Sequence, residues 1–365
     1  MKFKNKALVN RFKKFITSIT LEDRVAVIHH TDPDGVCSGV IMAKVVERVR
    51  GKKIDLRHNQ KGSVHVMTPE TLKLLKSKKI NKVIITDLGT DENPEYLKKI
   101  EKFADILIID HHKIYNKLSS KKIVFIKPQL VCDVDPARYA ASKLCYDLSM
   151  LATIVSDLDW VAAVGSIGDI AVKPWTAWLN RVFRRYRIKK QEDLFKTKLG
   201  ECAILISSAE SFDVKNVKLA FDVLYNADSY HDVLNSKLRA FRKKIDDEIK
   251  KYLKLLRKDA LFEKDSIYYE IKPKYHTKSP LCTILGQRYP HRSVFVVDIS
   301  RNPVGISGRR GDVKVKINQV LEDACKGISK ASAGGHAVSA GATVPKKHYQ
   351  KFKKRIFNIL SKKRR

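Results

Sequence analysis

The feature that most constrains the fold of this chain is a set of short apolar runs that end abruptly at acidic or imidazole side chains. The clearest run covers residues 105–109 and is followed directly by Asp110, His111 and His112. Four consecutive apolar residues of high β propensity predict a buried strand. Carboxylate and imidazole groups are costly to bury without a partner and are typical ligands of Mn²⁺, Mg²⁺ or Zn²⁺, so the end of this strand is a candidate metal site.

Two further apolar runs end in the same way. The first run in the chain leads past His30 into Asp32 and Asp34, and the run at residues 82–86 leads into Asp87. Two carboxylates at i and i+2 beside an imidazole would repel one another without a cation between them. Capping of the helix that follows explains one of the two aspartates but not both.

Helical patterns separate these runs and predict the fold class. The order strand, helix, strand, helix, strand favours an α/β domain with a parallel sheet and right-handed crossovers. Parallel strands present their carboxyl ends at one edge, which is where open α/β sheets bind ligands. We therefore expect the three polar strand ends to converge. Beyond a further strand at residues 122–126, the pattern predicts helices.

The second half of the chain predicts a second domain. Residues 230–257 carry apolar side chains every three to four positions, which predicts one long helix without an internal turn. We interpret this helix as a connector to a smaller α/β domain, and a coiled-coil helix of a homodimer is the alternative. The expected organisation is a metal-binding domain, a connector, a substrate-binding domain and a basic C-terminal tail or helix, at residues 1–228, 229–262, 263–345 and 346–365.

The second domain contains a glycine-rich segment next to a histidine, Gly334-Gly335-His336. Paired glycines expose backbone N–H groups, and the imidazole adds a further donor, so this segment can contact a phosphate. A glycine turn that leads into a helix explains these residues equally well. The segment by itself therefore leaves both interpretations open.

The composition indicates a polyanionic partner. The chain of 365 residues is 44% hydrophobic and carries a formal net charge of +34. Such a surface would concentrate nucleic acid in a salt-dependent manner, although a lysine-rich compositional bias or a thermophile surface is the alternative. The six cysteines form no Cys-x-x-Cys pair, and no apolar run is long enough to span a bilayer. We expect a cytoplasmic protein that does not enter a membrane.

The motifs resemble those of the DHH/DHHA1 phosphoesterases, a family that includes RecJ-type exonucleases, oligoribonuclease-like enzymes and cyclic-dinucleotide phosphodiesterases. The resemblance covers nearly the whole chain. In the first half it rests on four motifs in order: Asp32-Pro33-Asp34-Gly35, Thr86-Asp87, Asp110-His111-His112 and the segment from Asp159 to Asp169. In the second half it rests on Ser307-Gly308-Arg309-Arg310 and on Gly334-Gly335-His336.

The resemblance implies roles for particular residues. Two Mn²⁺ or Mg²⁺ ions would be bound, with Asp87 between them, by Asp32, Asp34, Asp87, His111 and Asp159. The catalytic residues would be His112, close to the scissile phosphate, and Asp110. The second domain would hold the substrate through Arg309, Gly334, Gly335 and His336. Many members carry a histidine four residues before the first aspartate, where this chain has Ile28. His30 would take its place, with His29 as the alternative.

These implications lead to one main hypothesis and two alternatives. Two ions in such a site would activate water for in-line phosphodiester hydrolysis. A RecJ-like exonuclease on single-stranded DNA or RNA is the main hypothesis, because a small-molecule enzyme would not need the positive charge. An oligonucleotide or cyclic-dinucleotide phosphodiesterase is the first alternative. A noncatalytic replication or repair scaffold is the second, and it predicts broken ligands, whereas all five are present. Replication or repair proteins would then be partners.

Overall fold

The expected fold class, a parallel-sheet α/β domain followed by a smaller α/β domain, is confirmed. The computed structural model describes residues 3–60, 67–118 and 120–362. The chain divides into two units, Met1–Arg242 and Lys243–Arg365, and each unit contains one sheet. The division falls within the helix Leu238–Asp259.

The sheet of the first unit has five strands in the order β2-β1-β3-β4-β5, and every neighbouring pair is parallel. Nearly all residues of the strands β1, β3, β4 and β5 are buried, which explains their continuous apolar sequences. The strands are β1 (Val25–His29), β2 (Leu56–Asn59), β3 (Lys82–Thr86), β4 (Asp105–Ile109) and β5 (Ile123–Ile126).

Helices cover this sheet and continue beyond it. The helix α2 is buried along most of its length and packs against α6 and α7 as well as the sheet. In chain order the helices are α1 (Lys6–Thr17), α2 (Pro33–Arg50), α3 (Pro69–Ser77), α4 (Glu95–Glu101), α5 (Pro128–Val131), α6 (Ala141–Ser149), α7 (Asp159–Gly168), α8 (Thr176–Arg185), α9 (Lys198–Phe212), α10 (Val217–Asn226), α11 (Tyr230–Leu234) and α12 (Leu238–Asp259).

The sheet of the second unit has six strands in the order β10-β11-β9-β8-β7-β6, and only β7 and β8 are parallel neighbours. The last helix packs its apolar face, including Phe352 and Ile356, into the core of this unit. The elements are β6 (Leu261–Phe262), β7 (Ser266–Ile271), α13 (Lys278–Arg288), β8 (Ser293–Asp298), β9 (Val304–Arg309), α14 (Ile317–Cys325), β10 (Ser332–His336), β11 (Ser339–Val344) and α15 (Tyr349–Lys362). Of the helices described, none is both long and apolar enough to cross a bilayer.

Two local expectations from the sequence are wrong. The predicted uninterrupted helix at residues 230–257 is broken between α11 and α12, because Ser236 Oγ donates to the carbonyl oxygen of Val233 and accepts from the backbone N–H of Leu238. A serine side chain that bonds the backbone in this way competes with the helix. The segment Gly334-Gly335-His336 is neither a turn nor a loop but the end of strand β10, paired with β11.

Candidate metal centre

The candidate site begins with the register of four parallel strands. His29, Thr86, Ile109 and Ile126 are the last residues of β1, β3, β4 and β5, and they are partners across the sheet. The next residue of each strand therefore leaves the sheet at the same edge. These four residues are His30, Asp87, Asp110 and Lys127. This register therefore brings the polar strand ends together, as the sequence predicts.

The first cluster of possible metal ligands contains His30, Asp32 and Asp87. His30 Nδ1 lies 3.1 Å from Asp32 Oδ2 and 3.7 Å from Asp87 Oδ2. Asp32 also caps α2 by accepting the N–H of Gly35 at 2.8 Å. A Cβ at Gly35 would lie 2.5 Å from the Cβ of His30, so the glycine permits the start of α2 to approach this histidine.

The structure places His30 in this cluster and His29 elsewhere. The His29 ring is buried, stacks on Phe221 with ring centroids 5.1 Å apart, and donates from Nδ1 to the carbonyl oxygen of His30. Burial, with the nearby Arg57 guanidinium, lowers the pKa of His29 to about 3. A neutral ring packed in this way belongs to the hydrophobic core beneath the site.

Asp87 lies at the centre of the site. One of its oxygens, Oδ1, is 3.3 Å from His111 Nε2 and 4.0 Å from His112 Nδ1, and within the described part of the chain it meets no hydrogen-bond donor in good geometry. Its backbone φ is +57°, a left-handed conformation that aspartate tolerates better than most residues. An acidic group that is buried, under-satisfied and surrounded by imidazoles has the character of a cation ligand.

A second cluster contains Asp34, His111 and Asp169. His111 Nδ1 lies 3.1 Å from the carbonyl oxygen of Pro136, which favours a proton on Nδ1 and leaves Nε2 as the ligand atom. Asp34 accepts the backbone N–H groups of Ala141 and Ser142 at the start of α6, at 2.6 and 2.9 Å. These bonds fix the carboxylate beside the imidazole.

A glycine of α7 allows this second cluster to form. A Cβ on Gly165 would lie 2.3 Å from Ser142 Oγ and 2.9 Å from Asp34 Oδ1. Helix α7 can therefore approach both α6 and the carboxylate only with glycine at this position. The helix ends at Gly168, and the next residue is Asp169.

The structure replaces Asp159 by Asp169 in this arrangement. Asp159 accepts hydrogen bonds from the Tyr186 hydroxyl at 2.7 Å and from Arg185 at 3.2 Å. It lies in the first turn of α7, whereas Asp169 lies at the other end of the helix, 3.8 Å from His111 Nδ1. The structure therefore does not bring Asp159 into either cluster, because its carboxylate bonds two partners away from them.

Asp110 pairs with His112, and His112 also belongs to a third group of possible metal ligands, with Asp87 and His111. Asp110 is fully buried, and its Oδ1 accepts from His112 Nδ1 at 2.7 Å. Its Oδ2 lies 2.9 Å from the ammonium group of Lys127. Asp110 thus contacts His112 through one oxygen and Lys127 through the other, and it is shielded from solvent. Sequence reasoning missed Lys127, although its place after an apolar strand matched that of the other three residues.

The electrostatics of the clusters favour a cation. Burial raises the pKa of Asp34 to about 7, and the Asp87 carboxylate contributes to the increase. Burial would lower the pKa of His111, but the carboxylates of Asp169 and Asp87 raise it well above its ordinary value. His30 shows the same balance, with Asp32 and Asp87 raising its pKa. The site thus retains protons that a divalent cation would displace.

The expected substrate residues of the second unit lie on β9 and β10, which are separated by β11 in the sheet. Arg309 ends β9 and is the register partner of Ser339 on β11, which is in turn the partner of His336 on β10. The Arg309 guanidinium donates to Ser279 Oγ at 3.2 Å. Gly335 has a φ of +126°, and a Cβ there would lie 2.6 Å from the carbonyl oxygen of Ser339, whereas a Cβ at Gly334 would meet open space.

Carboxylates and imidazoles thus lie at the carboxyl edge of the parallel sheet in the first unit, and a second, mixed α/β unit follows in the chain. The model of the DHH family, N-terminal domain, matches residues 24–161, and that of the DHHA1 domain matches residues 280–362. The chain belongs to the DHH/DHHA1 phosphoesterase family, which confirms the resemblance.

A curated relative and several solved structures are similar to this chain. Uncharacterized protein MJ0831 of Methanocaldococcus jannaschii is 32% identical over 175 residues, which are 46% of this chain and 38% of that protein. RecJ from Thermus thermophilus, in complex with Mn²⁺, has a TM-score of 0.72 at 16% identity. The match covers 99% of this chain and 55% of the RecJ chain. The chain therefore spans only part of the length of these two proteins.

Two shorter proteins share the fold over most of their length. The exonuclease RecJ bound to manganese has a TM-score of 0.68 at 16% identity, with 98% of this chain and 94% of that chain covered. The pGpG-specific phosphodiesterase PggH from Vibrio cholerae has a TM-score of 0.51 at 14% identity, with 93% and 99% covered. At these identities the likeness establishes the fold.

Proposed function

We propose that this chain is a metal-dependent phosphodiesterase of the RecJ kind, which removes nucleotides from the end of single-stranded DNA or RNA. The proposal rests on the groups that surround Asp87. Three imidazoles, those of His30, His111 and His112, each approach its carboxylate to within 3.3–4.0 Å. A structural aspartate does not need three histidines, whereas a shared metal ligand beside a catalytic base or acid does.

The residues present fit two Mn²⁺ or Mg²⁺ ions, and two of the RecJ neighbours are bound to manganese. One ion would be held by His30, Asp32 and Asp87, and the other by Asp34, His111 and Asp169, with Asp87 close enough to serve both. The ions would supply Lewis-acid stabilisation of phosphate oxygens and a lowered pKa of bound water. Oxygen and imidazole ligands of this kind suit Mn²⁺ and Mg²⁺ better than softer metals.

The remaining groups would orient the substrate and move a proton. Asp110 holds Nδ1 of His112, so the substrate would meet Nε2 of this ring. From that atom His112 can donate to a phosphate oxygen or transfer a proton to the leaving group. In the second unit, Arg309 and His336 would bind a substrate phosphate, since both are hydrogen-bond donors at strand ends and both are register partners of Ser339 on the strand between them.

The positive charge favours a polynucleotide over a small substrate. A net charge of +34 gives a strong attraction for a polyanion, and this term grows with the number of phosphates contacted. The substrate named for one structural neighbour is the linear dinucleotide pGpG. It carries too few phosphates to gain much from this electrostatic attraction. Hydrolysis of short oligonucleotides is the second candidate, because that neighbour shares the fold.

The test uses the full chain with Mn²⁺ and three end-labelled substrates: long single-stranded DNA, long single-stranded RNA and pGpG. The control is Asp87→Asn, which removes the central ligand. We expect stepwise shortening of a long strand by the parent and none by the control. Cleavage of pGpG without cleavage of the long strands would support the second candidate. Equal and negligible turnover by parent and control with all three substrates would exclude both candidates and favour a scaffold.

A further inference from the structure

Lys127 is a buried cation that none of the roles assigned so far uses. It follows the last residue of β5, and its side chain is completely shielded from solvent. Its ammonium group lies 2.7 Å from Asp91 Oδ1, 2.9 Å from Asp110 Oδ2 and 2.8 Å from the carbonyl oxygen of Lys113. The ammonium group donates hydrogen bonds to Asp91 and to the Lys113 carbonyl oxygen, and its contact with Asp110 is an ion pair rather than a hydrogen bond. Because it is inaccessible, Lys127 cannot itself contact a substrate.

The contacts of Lys127 lead directly to His112. The Asp110 carboxylate forms an ion pair with Lys127 through Oδ2, and its Oδ1 accepts both the ring Nδ1 and the backbone N–H of His112, at 2.7 and 3.3 Å. The lysine is thus joined to the imidazole through one carboxylate. Any rotation of Asp110 that broke the bond to His112 would also break the ion pair with Lys127.

The same ammonium group fixes the segment that carries His112. Asp91, its second carboxylate partner, accepts the backbone N–H groups of Tyr115 and Asn116 at 2.7 and 3.3 Å. The Lys113 carbonyl oxygen lies in this segment as well. The Lys127 ammonium group therefore contacts both the carboxylate that binds this segment, that of Asp91, and a carbonyl oxygen within the segment.

We propose that Lys127 is a positioning residue for His112, acting through Asp110. The proposal rests on the catalytic role of His112 given above. Two buried carboxylates this close to one cation depend on it, since without the cation one of them would have to move or accept a proton. Either change would remove the fixed acceptor of the His112 ring. A displacement of about 1 Å at a catalytic group can reduce the rate about 100-fold.

A double-mutant cycle separates positioning from a merely structural role. Lys127→Met removes the charge and keeps the unbranched stem, and His112→Gln removes the ring. With Mn²⁺ and an end-labelled single-stranded DNA as probe, Lys127→Met should lower kcat about 10- to 100-fold. KM should change less than about threefold. In the His112→Gln background, the same change should lower kcat by less than about threefold, because the group it positions is already gone.

The matched control is Arg50→Met, which removes another fully buried cation of the same unit. Arg50 pairs with Asp55 at 2.9 Å, and both lie at the β1–β2 side of the sheet. The Arg50→Met variant should have a lower melting temperature than the parent but no selective loss of kcat. If Lys127→Met does not fold, the double variant Asp91→Asn/Lys127→Met, which removes a carboxylate together with the ammonium group, is measured in its place.

A second readout does not depend on hydrolysis. In the long-range ¹H–¹⁵N spectrum of histidine-labelled protein, the signal lost in His112→Gln identifies the ring, and its shifts report which nitrogen carries the proton. We expect a proton on Nδ1 in the parent and an altered tautomer balance in Lys127→Met but not in Arg50→Met. An unchanged His112 spectrum, or equal losses of kcat in both backgrounds, would overturn the positioning role. A parent without hydrolysis would contradict the proposed function, and the spectrum would still decide the role of Lys127.

Discussion

The carboxylate of Asp169 lies 3.8 Å from Nδ1 of His111. This contact joins the end of α7 to the end of β4, two elements that are far apart in the sequence. It depends on the termination of α7 at Gly168, where an added Cβ would lie 2.7 Å from Pro33 Cβ. The helix end is thus packed against the start of α2, which carries Asp34, so the three members of the cluster are fixed together.

The first prediction separates Asp169 from Asp159. Asp169→Asn should lower Mn²⁺ affinity by more than the roughly 10- to 100-fold typical of changes outside the ligand shell. Asp159→Asn should leave the affinity near that of the parent, because its carboxylate bonds Tyr186 and Arg185. Isothermal calorimetry with Mn²⁺ measures both. The opposite order of effects would restore Asp159 as the ligand.

The second prediction concerns the unusual backbone of Asp87. Asp87→Asn should abolish hydrolysis and still fold, because asparagine also tolerates a φ of +57°. The melting temperature should fall somewhat, because the imidazoles of His30 and His111 lose a carboxylate partner. Asp87→Val should be equally inactive and less stable, by about 1–2 kcal/mol, because a left-handed conformation disfavours a branched side chain. Thermal unfolding distinguishes the two. Normal turnover by Asp87→Asn would refute the central role of this carboxylate.

The third prediction is that Mn²⁺ binding releases protons and strengthens as pH rises. The pKa of Asp34 is raised to about 7, and that of His111 is also raised, so both groups hold protons near neutral pH. A ligand must be a carboxylate or a neutral imidazole, so these protons leave when the ion binds, and acidification opposes binding. Calorimetry in two buffers of different ionisation enthalpy counts the protons. Asp159→Asn should release as many as the parent, and an affinity independent of pH would contradict the prediction.

The fourth prediction tests whether the positive charge captures substrate. Affinity for a single strand of about twelve nucleotides should fall steeply as salt increases, whereas that of a dinucleotide should fall much less, because fewer counterions are released. Fluorescence anisotropy at several salt concentrations, in Ca²⁺ to suppress turnover, gives the two slopes. Equal slopes would mean that the charge of +34 is compositional and would favour a short substrate.

The fifth prediction assigns His336 to substrate rather than to metal. His336→Ala should lower kcat/KM for single-stranded DNA about 10- to 100-fold, the range for a hydrogen bond to a charged group. The affinity of the protein for Mn²⁺ should not change, because the metal clusters consist of residues of the first unit. Calorimetry and a hydrolysis assay are run on variant and parent. A loss of metal affinity, or undiminished hydrolysis, would exclude the substrate role.

The strand ends could be predicted from sequence because each is specified locally, by an apolar run that stops at a polar residue. Asp169 could not, because the apolar pattern of α7 continues past Gly168 to Val172 and predicts a longer helix. The helix ends because Ile170 adopts a left-handed conformation, with a φ of +56°, and Ala171 N–H donates back to the carbonyl oxygen of Ser166. Isoleucine gives no sequence signal for such an end. Lys127 was missed for a related reason, since a lysine after a strand predicts a solvent-exposed side chain unless its two carboxylate partners are known.

The register of the four strand ends has a consequence for folding. Read across the sheet, the residues that leave it are an imidazole, two carboxylates and an ammonium group, at His30, Asp87, Asp110 and Lys127. A slip of one residue in any strand would turn its side chains to the opposite face and separate its charge from the neighbours that neutralise it. A mispaired sheet would therefore bury an uncompensated charge. The polar residues at the candidate site thus also favour one register of strand pairing over the others.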